Sequence, residues 1–533
     1  MPSAQPNFIL FITDQQRADH LGCYGHPVLK TPHIDGIAAR GVAMDRFYVA
    51  SPVCMPNRAS LMTGRMPSAH GVRSNGIPLS RSSATFVDLL AEAGYRTALI
   101  GKSHLQNFTG QGPVFRKPAA PEDVRKPPAT LAQAIDHRLE GAPYEEENPT
   151  AWERGKRAVN VPFYGFHHVE LVTGHGDQCS GDYLHWLRER HPKAERLRSA
   201  AAALPHDYVC PQAVRTALPE ELYPTNYIRE RAVEYLRNTA AREKDKPFFL
   251  MVSFPDPHHP FTPPGKYWDM YQPGEMPRPP AFTRSDWRAS PFVERLTSAR
   301  ESGKANVLSQ AAFAVNEREA LEARALTCGM IGCIDDAVGD VLAALEASGR
   351  SEDTVLVFMS DHGDYLGDHR ILLKGASLYQ GIVRTPFIWS DPRSPNQGIR
   401  SGALGSTIDV AATILERARL APYAGMQGVS LLGTLEGGKD ARESVFMQYD
   451  HQLGPSRPGR MLRTHGLVTR DWRVSIAEGI PGGELYHLAR DPDEFFNVWD
   501  VRGALEDKCG LLAQLARAEM ESVDELPLPT GRA

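Results

Sequence analysis

Four short apolar runs stand out in the sequence, and each has the length and side-chain content of a buried β-strand. They are Phe8–Ile12, Thr97–Ile100, Phe248–Val252 and Val355–Met359. Segments with helical periodicity lie between them, at Phe86–Ala93, Tyr227–Thr239 and Glu317–Ala347. This alternation of strands and helices predicts an α/β fold built on a mostly parallel sheet.

Polar side chains with catalytic or metal-binding chemistry follow each apolar run. In chain order they are Asp14 and Gln15, Lys102 and His104, His258 and His259, and Asp361 and His362. Because ligands bind beyond the carboxyl ends of the strands in open α/β sheets, we expect these side chains to meet at one edge of the sheet. The sequence therefore predicts a functional site at that edge.

Two further regions have a sequence pattern that differs from the alternation of strands and helices. Residues 110–224 are rich in proline, histidine and charge, and we expect them to shape the ligand pocket or a contact within a homo-oligomer. After Gly425 the pattern changes to short alternating strands, such as Trp472–Ile476 and Glu484–Leu488, with glycine-rich turns. These features predict a main α/β domain over residues 1–424 and a small C-terminal domain over residues 425–533.

The composition limits which kinds of partner and which cellular compartment we expect. The formal net charge is -5, the pI is near 6.5 and no basic run is present, so we expect no nucleic-acid partner. The seven scattered cysteines argue against a disulfide framework and favour a reducing compartment. No apolar stretch reaches the ~20 residues of a membrane span, and Met1–Pro6 lacks the features of a secretory leader. We therefore expect a cytoplasmic protein without a membrane partner.

The segment Cys54-Met55-Pro56-Asn57-Arg58, followed by Thr63-Gly64-Arg65, is the most specific motif in the chain. It resembles the C-x-P-x-R…T-G-R signature of the sulfatases within the alkaline phosphatase superfamily. The resemblance runs from Asn7 through Asp361-His362-Gly363 and Lys374 to Asp491-Pro492. It implies an alkaline phosphatase-like α/β sandwich, with a central mixed, mostly parallel sheet and a small C-terminal α+β domain.

The resemblance also implies a modified nucleophile. In sulfatases a maturation enzyme oxidises the motif cysteine, here Cys54, to formylglycine. The hydrated aldehyde carries two hydroxyls on one carbon: one attacks the sulfur, and deprotonation of the other lets the sulfated hemiacetal collapse. Arg58 would hold and orient the formylglycine or its neighbours.

A single divalent ion is implied by the same family pattern. Its ligands would be Asp14, Asp361, His362 and the oxygen of residue 54, with Gln15 as an additional oxygen donor. Sulfatases more often carry an aspartate at the position of Gln15 and an asparagine at that of His362. Oxygen-rich sites suit Ca²⁺, whereas the imidazole favours Mn²⁺ or another transition ion, so both Ca²⁺ and Mn²⁺ stay open.

The remaining site residues are assigned by the resemblance as follows. Lys102, Lys374 and Asn75 would bind the anionic ester. His104 would accept the proton that starts the collapse, and His258 would bind the ester and protonate or hydrogen-bond the leaving oxygen.

The leading function is hydrolysis of sulfate monoesters, with aryl sulfates as the expected substrates and a small-molecule anionic ester as the partner. The runner-up is a phosphonate monoester or phosphate diester hydrolase with the same nucleophile, or a choline sulfatase-like enzyme. Lys102 and His104 favour the sulfatase, whereas Gln15 and His362 favour the alternatives. A third hypothesis is a non-catalytic, metal-dependent anion-binding protein with an unmodified Cys54.

Structural roles are expected for several other polar residues. His259 is expected to fill space or bond to the backbone, His70 to pack or cap, and Asp335 and Asp336 to form a solvated face or an ion pair. Five further histidines could line the pocket, and the sequence does not choose among them: His20, His26, His167, His168 and His175.

Overall fold

The computed structural model describes residues 5–109, 123–125, 127–128, 130–131, 138–155, 157–198, 200–240, 245–451 and 461–531. Part of the 110–224 stretch therefore lies outside the described residues. The strands of the described chain are β1 (Asn7–Thr13), β2 (Val42–Tyr48), β3 (Arg96–Gly101), β4 (His168–Thr173), β5 (Ser180–Gly181), β6 (Phe248–Ser253), β7 (Phe313–Ala314), β8 (Thr354–Ser360), β9 (Ile371–Leu372), β10 (Phe387–Ser390), β11 (Ile399–Ser406), β12 (Ser444–His451), β13 (Leu462–Thr469), β14 (Trp472–Ala477) and β15 (Glu484–His487).

The α-helices of the same residues are α1 (Pro32–Ala39), α2 (Cys54–Thr63), α3 (Pro67–His70), α4 (Phe86–Glu92), α5 (Pro149–Glu153), α6 (Asp182–Arg190), α7 (Pro224–Tyr235), α8 (Pro280–Thr283), α9 (Pro291–Glu301), α10 (Glu317–Ala347), α11 (Gln380–Val383), α12 (Asp409–Arg417), α13 (Leu432–Leu435) and α14 (Leu505–Glu521). The long predicted helix is confirmed with its bounds as α10, which begins in a capping box between Asn316 and Glu319. The helix predicted over 227–239 is α7, continued by one π-helical turn at Leu236–Ala240.

The central sheet has nine strands among the described residues, in the order β11-β2-β10-β8-β1-β6-β3-β4-β5. The four strands predicted from apolar runs, β8, β1, β6 and β3, lie side by side and parallel at its centre. Strand β10 runs antiparallel to both of its neighbours, and β5 runs antiparallel to β4. The predicted mixed, mostly parallel sheet is confirmed.

Helices cover both faces of this sheet, which explains why its central strands are apolar throughout rather than alternating. On β1, Ile9 and Phe11 pack with residues of α7 and α10, whereas Phe8, Leu10 and Ile12 pack with residues of α2, α4 and α12. The helix–sheet–helix arrangement is the sandwich that the sequence predicted.

The C-terminal part carries a separate antiparallel sheet in the order β12-β13-β14-β15, as predicted. Leu467, Val474 and Leu485 on one face of this sheet pack against Leu511 and Leu515 of α14. The other face packs against the main part of the molecule through Met447, Val468 and Tyr486. The division at residues 424 and 425 stays a prediction.

Two expectations from composition can be compared with the structure. All seven cysteines are free, in agreement with their scattered spacing. Within the described ranges, no helix combines the length and apolar character that a bilayer span requires. The reducing compartment and the cytoplasmic location stay predictions.

The register of the central strands brings their polar C-terminal ends together. Thr13 of β1 pairs with Ser360 of β8, and Ser253 of β6 pairs with both Ile12 and Gly101. The segments that follow these four strands therefore leave the sheet from the same edge, side by side.

Candidate active site

Cys54 is the first residue of α2 and lies at the centre of this edge. Its Sγ atom is 3.0 Å from His362 Nε2, 3.3 Å from Lys374 Nζ and 3.7 Å from Asp14 Oδ1. The side chain is 1% exposed. Burial and then the charge of Asp14 raise the pKa of the thiol to about 11, so the thiol is protonated at neutral pH.

Helix α2 is buried along its whole length, which is unusual for a segment with so many polar residues. A buried polar group is costly unless it is hydrogen-bonded, and Asn57 is bonded at both ends of its amide. Its Oδ1 accepts from the Ala50 backbone at 3.0 Å and its Nδ2 donates to the Asp361 carbonyl at 2.5 Å. Gly64 ends the helix with φ of 61°, the left-handed conformation that glycine adopts at little cost. The polar residues of the motif thus fix Cys54 against the ends of β1 and β8.

Arg58 joins three of the strand ends. Its guanidinium donates to Asp361 Oδ2 at 2.7 Å, to the Lys102 carbonyl at 3.1 Å and to Ser253 Oγ at 3.0 Å. Its third nitrogen, Nη2, lies 3.6 Å from Asp14 Oδ2. Arg58 therefore orients the two carboxylates of the site.

The predicted metal ligands converge. One donor atom from each of Asp14, Cys54, Asp361 and His362 lies within 4.8 Å of every other, and all four residues are buried. His362 Nδ1 donates to the Gly363 carbonyl at 2.9 Å, which leaves the Nε2 lone pair directed at the site. Burial and Lys374 lower the pKa of His362 to about 4, so the imidazole is neutral.

The charge of this donor set fits a divalent ion. Burial alone would raise the pKa of Asp14, but Lys102 and Arg58 hold it well below its ordinary value, so the carboxylate is ionised. Two carboxylates with one neutral imidazole suit a hard or borderline divalent cation. The residues present would therefore hold such an ion.

Gln15 lies at the rim of this donor set. Its Oε1 accepts from Lys374 Nζ at 2.8 Å, and its Nε2 donates to Asp364 Oδ2 at 2.5 Å. Gln15 has a φ of 64°, a conformation that is uncommon outside glycine and marks a constrained position. Its role as a metal ligand stays a prediction.

Two buried lysines provide positive charge close to Cys54. Lys374 Nζ lies 3.0 Å from His258 Nε2 and 3.2 Å from His362 Nε2. Lys102 Nζ is paired with Asp14 and lies 2.8 Å from His175 Nε2. Lys102 follows Gly101 at the end of β3. Only glycine fits at position 101, because a Cβ there would lie 1.9 Å from the Ser253 carbonyl oxygen. The two lysines predicted to bind the anion therefore both lie near Cys54, and their role in ester binding stays a prediction.

His258 is 0% exposed and its Nδ1 contacts the His259 carbonyl, so its Nε2 is the lone-pair acceptor for Lys374.

His104 stacks on Phe108 with ring centroids 3.7 Å apart. Burial, followed by the nearby charge of Lys102, lowers the pKa of His104 well below its ordinary value, so His104 is neutral and able to accept a proton.

The backbone that presents His104 is held by a residue that the sequence did not reveal. The carboxylate of Glu147 accepts from the backbone nitrogens of His104, Leu105 and Gln106 at 2.8, 3.0 and 3.2 Å. His104 has a φ of 58°, a strained conformation for a residue with a side chain. Glu147 thus stabilises the turn that aims the imidazole.

Asn75 is held next to Cys54 by a hydrogen bond to the backbone of Met55. Its Oδ1 accepts from the Met55 nitrogen at 3.1 Å, and the side chain is half-buried. Its role in ester binding stays a prediction.

His70 is placed as predicted and contacts Ser60 Oγ at 3.0 Å. Asp335 differs from the prediction of a solvated face or an ion pair: it is 2% exposed and accepts from the first-turn nitrogens of α1 at 2.8 and 3.2 Å. Asp336 pairs with Lys266 at 3.3 Å. His259 is different: its Nδ1 lies 3.1 Å from Gln15 Nε2, so it belongs to the side-chain network of the site.

Of the five histidines among which the sequence could not choose, His175 lies in the site. His20 bonds to Asp19 and lies near His26, His167 bonds to Thr97, and His168 pairs with Glu170. A weakly periodic segment gave no signal for His175 or for Glu147. Asp364, three residues after Asp361, could have been suspected from its position after β8.

Comparison with known proteins shows similarity along nearly the whole chain. The family model described as Sulfatase matches residues 6–420, and that described as N-sulphoglucosamine sulphohydrolase, C-terminal, matches residues 367–521. An arylsulfatase of Clostridium perfringens is 26% identical, with 98% of this chain and 95% of that protein covered. The multifunctional alkaline phosphatase superfamily protein PehA of Trinickia caryophylli is 29% identical, over 92% and 89%.

A solved structure gives the same picture for the fold. The phosphonate monoester hydrolase of Agrobacterium radiobacter matches with a TM-score of 0.74 at 24% sequence identity, covering 98% of this chain and 97% of that chain. The similarity includes both the central sheet and the C-terminal sheet.

Proposed function

This chain belongs to the sulfatase family, and on that premise we propose that it hydrolyses sulfate monoesters, with aryl sulfates as the leading substrate class and a formylglycine at position 54 as the nucleophile. The family resemblance of the C-x-P-x-R motif is confirmed by the match over residues 6–420. The observation that carries the proposal is the setting of Cys54 Sγ, which lies 3.0 Å from His362 Nε2 and 3.3 Å from Lys374 Nζ.

In the proposed reaction, one hydroxyl of the hydrated aldehyde releases its proton to solvent and attacks the sulfur as the alkoxide, while the bond from sulfur to the leaving oxygen breaks. Lys102 and Lys374 stabilise the sulfuryl oxygens, which carry the negative charge. A divalent ion held by Asp14, Asp361, His362 and residue 54 would supply further positive charge beside the nucleophile.

The proton for the leaving oxygen is proposed to come from the pair of Lys374 and His258. Because His258 Nε2 accepts from Lys374 Nζ at 3.0 Å, the neutral imidazole has no proton of its own to give at that nitrogen. Lys374 is the donor that shares a proton with it. Good leaving groups would depend little on this pair, and poor ones strongly.

In the second half of the reaction, His104 is proposed to accept the proton of the remaining hydroxyl. The bond between the former Cβ and the sulfate oxygen then breaks, sulfate departs with the bonding pair, and the aldehyde is regenerated. A neutral His104 whose Nδ1 has no hydrogen-bond partner among the described residues is suited to accept that proton.

The second candidate function is hydrolysis of phosphonate monoesters or phosphate diesters with the same nucleophile. Gln15 and His362 favour it, because they depart from the commoner sulfatase pattern in the same way as phosphonate monoester hydrolases do. Lys102 and His104 favour the sulfate monoester, because Lys102 adds positive charge beside the ester and the neutral His104 offers a base for the collapse.

A substrate panel on metal-replete protein tests the proposal. Aryl sulfate, phosphonate monoester, phosphate diester and choline sulfate are compared at equal concentration, and the mass of the peptide that contains residue 54 is measured on the same sample. We expect the highest kcat/KM with aryl sulfate and an activity proportional to the formylglycine content. Cys54→Ala should be inactive, whereas Cys509→Ala, at an exposed cysteine, should match the wild type.

Two outcomes would contradict the proposal. A preference for the phosphonate monoester or the diester would establish the second candidate. Residue 54 found as unmodified cysteine, with no ester hydrolysed by metal-loaded protein, would favour the non-catalytic anion-binding hypothesis.

A further inference from the structure

The ammonium group of Lys102 is already engaged in two directions. Its Nζ pairs with Asp14 Oδ2, and it lies 2.8 Å from His175 Nε2. The same nitrogen lies 4.9 Å from the centroid of the Phe108 ring. An ammonium group carries three N–H bonds, so the two hydrogen bonds fix the direction of the third.

His175 also contacts the ring of a second histidine of the site, His258. The rings of His175 and His258 are stacked, with centroids 3.6 Å apart and planes 6° from parallel. Phe108 meets His175 edge-on at 5.3 Å and stacks with His104 at 3.7 Å, while His258 stacks with His259 at 4.0 Å. We call these five residues the ring array, and His175 is its central member.

The exposure of the ring array shows where a substrate would meet it. His104, His258 and His259 are at most 3% exposed, whereas His175 is half-buried. His175 therefore lies at the outer side of the site and in contact with its interior. Among the described residues it links Lys102, on the loop after β3, to His258, on the loop after β6.

The hydrogen bond defines the protonation of His175. Lys102 can only donate, so Nε2 must accept and the proton of the neutral ring resides on Nδ1. Burial, followed by the charge of Lys102, lowers the pKa of His175 well below its ordinary value. A neutral ring is also the form that stacks on neutral His258 without charge repulsion.

We propose that His175 is a positioning residue for the hydrolysis proposed above: its Nε2 directs the free N–H of Lys102 toward the anionic group of the ester, and its ring fixes the plane of His258 beside the leaving oxygen. The second role, the orientation of His258 beside the leaving oxygen, rests on the proposed function. The first role concerns anion binding and holds for a sulfate, phosphonate or phosphate ester alike.

Two substitutions separate the two roles. His175→Gln keeps an acceptor oxygen at about the reach of Nε2 and removes the stacked ring. His175→Phe keeps a stacked ring and removes the acceptor. The matched controls are His191→Gln and His191→Phe, at an exposed histidine that follows α6. Metal content and the mass of residue 54 are measured on every variant before the assays.

The readouts are the affinity for inorganic sulfate, measured by calorimetry on metal-loaded protein, and kcat/KM for aryl sulfates of graded leaving-group pKa. For His175→Phe we expect sulfate affinity to fall about tenfold, the scale of one charge-assisted hydrogen bond, with an unchanged dependence on the leaving group. For His175→Gln we expect near-wild-type sulfate affinity and a steeper loss of rate with poor leaving groups.

Each remaining outcome overturns part or all of the inference. Wild-type affinity and leaving-group dependence in both variants would show that His175 positions neither group. Equal, uniform losses in both variants would indicate packing alone. The sulfate affinity is read without turnover, so it stays decisive if the wild type proves inactive on sulfate esters, an outcome that would contradict the proposed function and not the contact to Lys102.

Discussion

Replacing Glu147 with glutamine tests how the chain holds the turn that presents His104. Glu147 is 0% exposed, and its carboxylate accepts from three consecutive backbone nitrogens. Even so, burial raises its pKa from an ordinary 4.5 to about 7, and the three hydrogen bonds only partly offset this. The folded protein therefore retains a proton on Glu147 over a pH range in which the unfolded chain has lost it.

The sign of the pH effect follows from linkage. Below about pH 4.5 the Glu147 side chain is protonated in both the folded and the unfolded chain, so its ionisation does not affect the free energy of unfolding. Between about pH 4.5 and 7 only the unfolded chain releases the proton. The wild type therefore loses stability as pH rises through this range. A pKa difference of about 2.5 corresponds to about 3 kcal/mol at pH 7 and above. The glutamine variant has no such dependence.

Thermal unfolding measures this difference. With an unfolding entropy of about 2 cal/mol/K per residue, 533 residues convert about 3 kcal/mol into a shift in Tm of about 3 °C. The Tm of the wild type minus that of Glu147→Gln should therefore fall by about 2–3 °C between pH 5 and pH 8. Glu153→Gln, at an exposed glutamate at the end of α5, should show no such trend.

The reasoning is refuted if the difference in Tm is constant with pH. A difference that grows with pH would mean that the three backbone donors stabilise the carboxylate by more than burial destabilises it. A constant difference would mean that the pKa of Glu147 is the same in the folded and the unfolded chain.

Three further predictions concern the ligands, the bases and a structural acid. Asp361→Ala or His362→Ala should reduce bound metal from one equivalent to near none by elemental analysis; wild-type occupancy would contradict the ligand assignment. His104→Ala should release one alcohol per site in a rapid-mixing burst and then stall, whereas His258→Ala should slow the first release, most with poor leaving groups; the reverse pattern would exchange their roles. Asp335→Ala should lower Tm by about 1–2 °C without changing kcat, because it removes the acceptor for two first-turn nitrogens of α1; a loss of kcat would show a functional role.

Much of the site was predictable because the chemistry sits at strand ends. Asp14, Lys102, His258 and Asp361 each follow an apolar run, and parallel pairing of β8, β1, β6 and β3 brings those ends to one edge. The central sheet and its helices were predictable because the hydrophobic periodicity and the length of each apolar run are local features of the sequence. The motif around Cys54 pointed to the proposed nucleophile, which no periodicity would have revealed.

The partners of those residues were not predictable. His175 and Glu147 lie in or beside turns without regular periodicity, and each reaches the site through a contact more than 40 residues away in the chain. Nothing in the local sequence distinguishes Glu147 from Glu145 or Glu146. His259 was misjudged because only the positive φ of Gln15 and the folded backbone bring their side chains together.

The pairing of β1 with β8 has a consequence for biosynthesis. Thr13 and Ser360 are neighbours in space but 347 residues apart in the chain, and Asn57 and Arg58 bury α2 by bonding to Asp361. At about 5–20 residues per second, roughly 20–70 s separate the emergence of β1 from the ribosome and that of its neighbour. Until then Asp361, His362 and Lys374, which enclose Cys54 from the β8 side, have not been synthesised, and the thiol would be open to a modifying enzyme. Once β8 has docked, the thiol is 1% exposed. The order of synthesis thus sets the interval in which the proposed oxidation can occur, and chains that fold before it takes place would keep an unmodified cysteine.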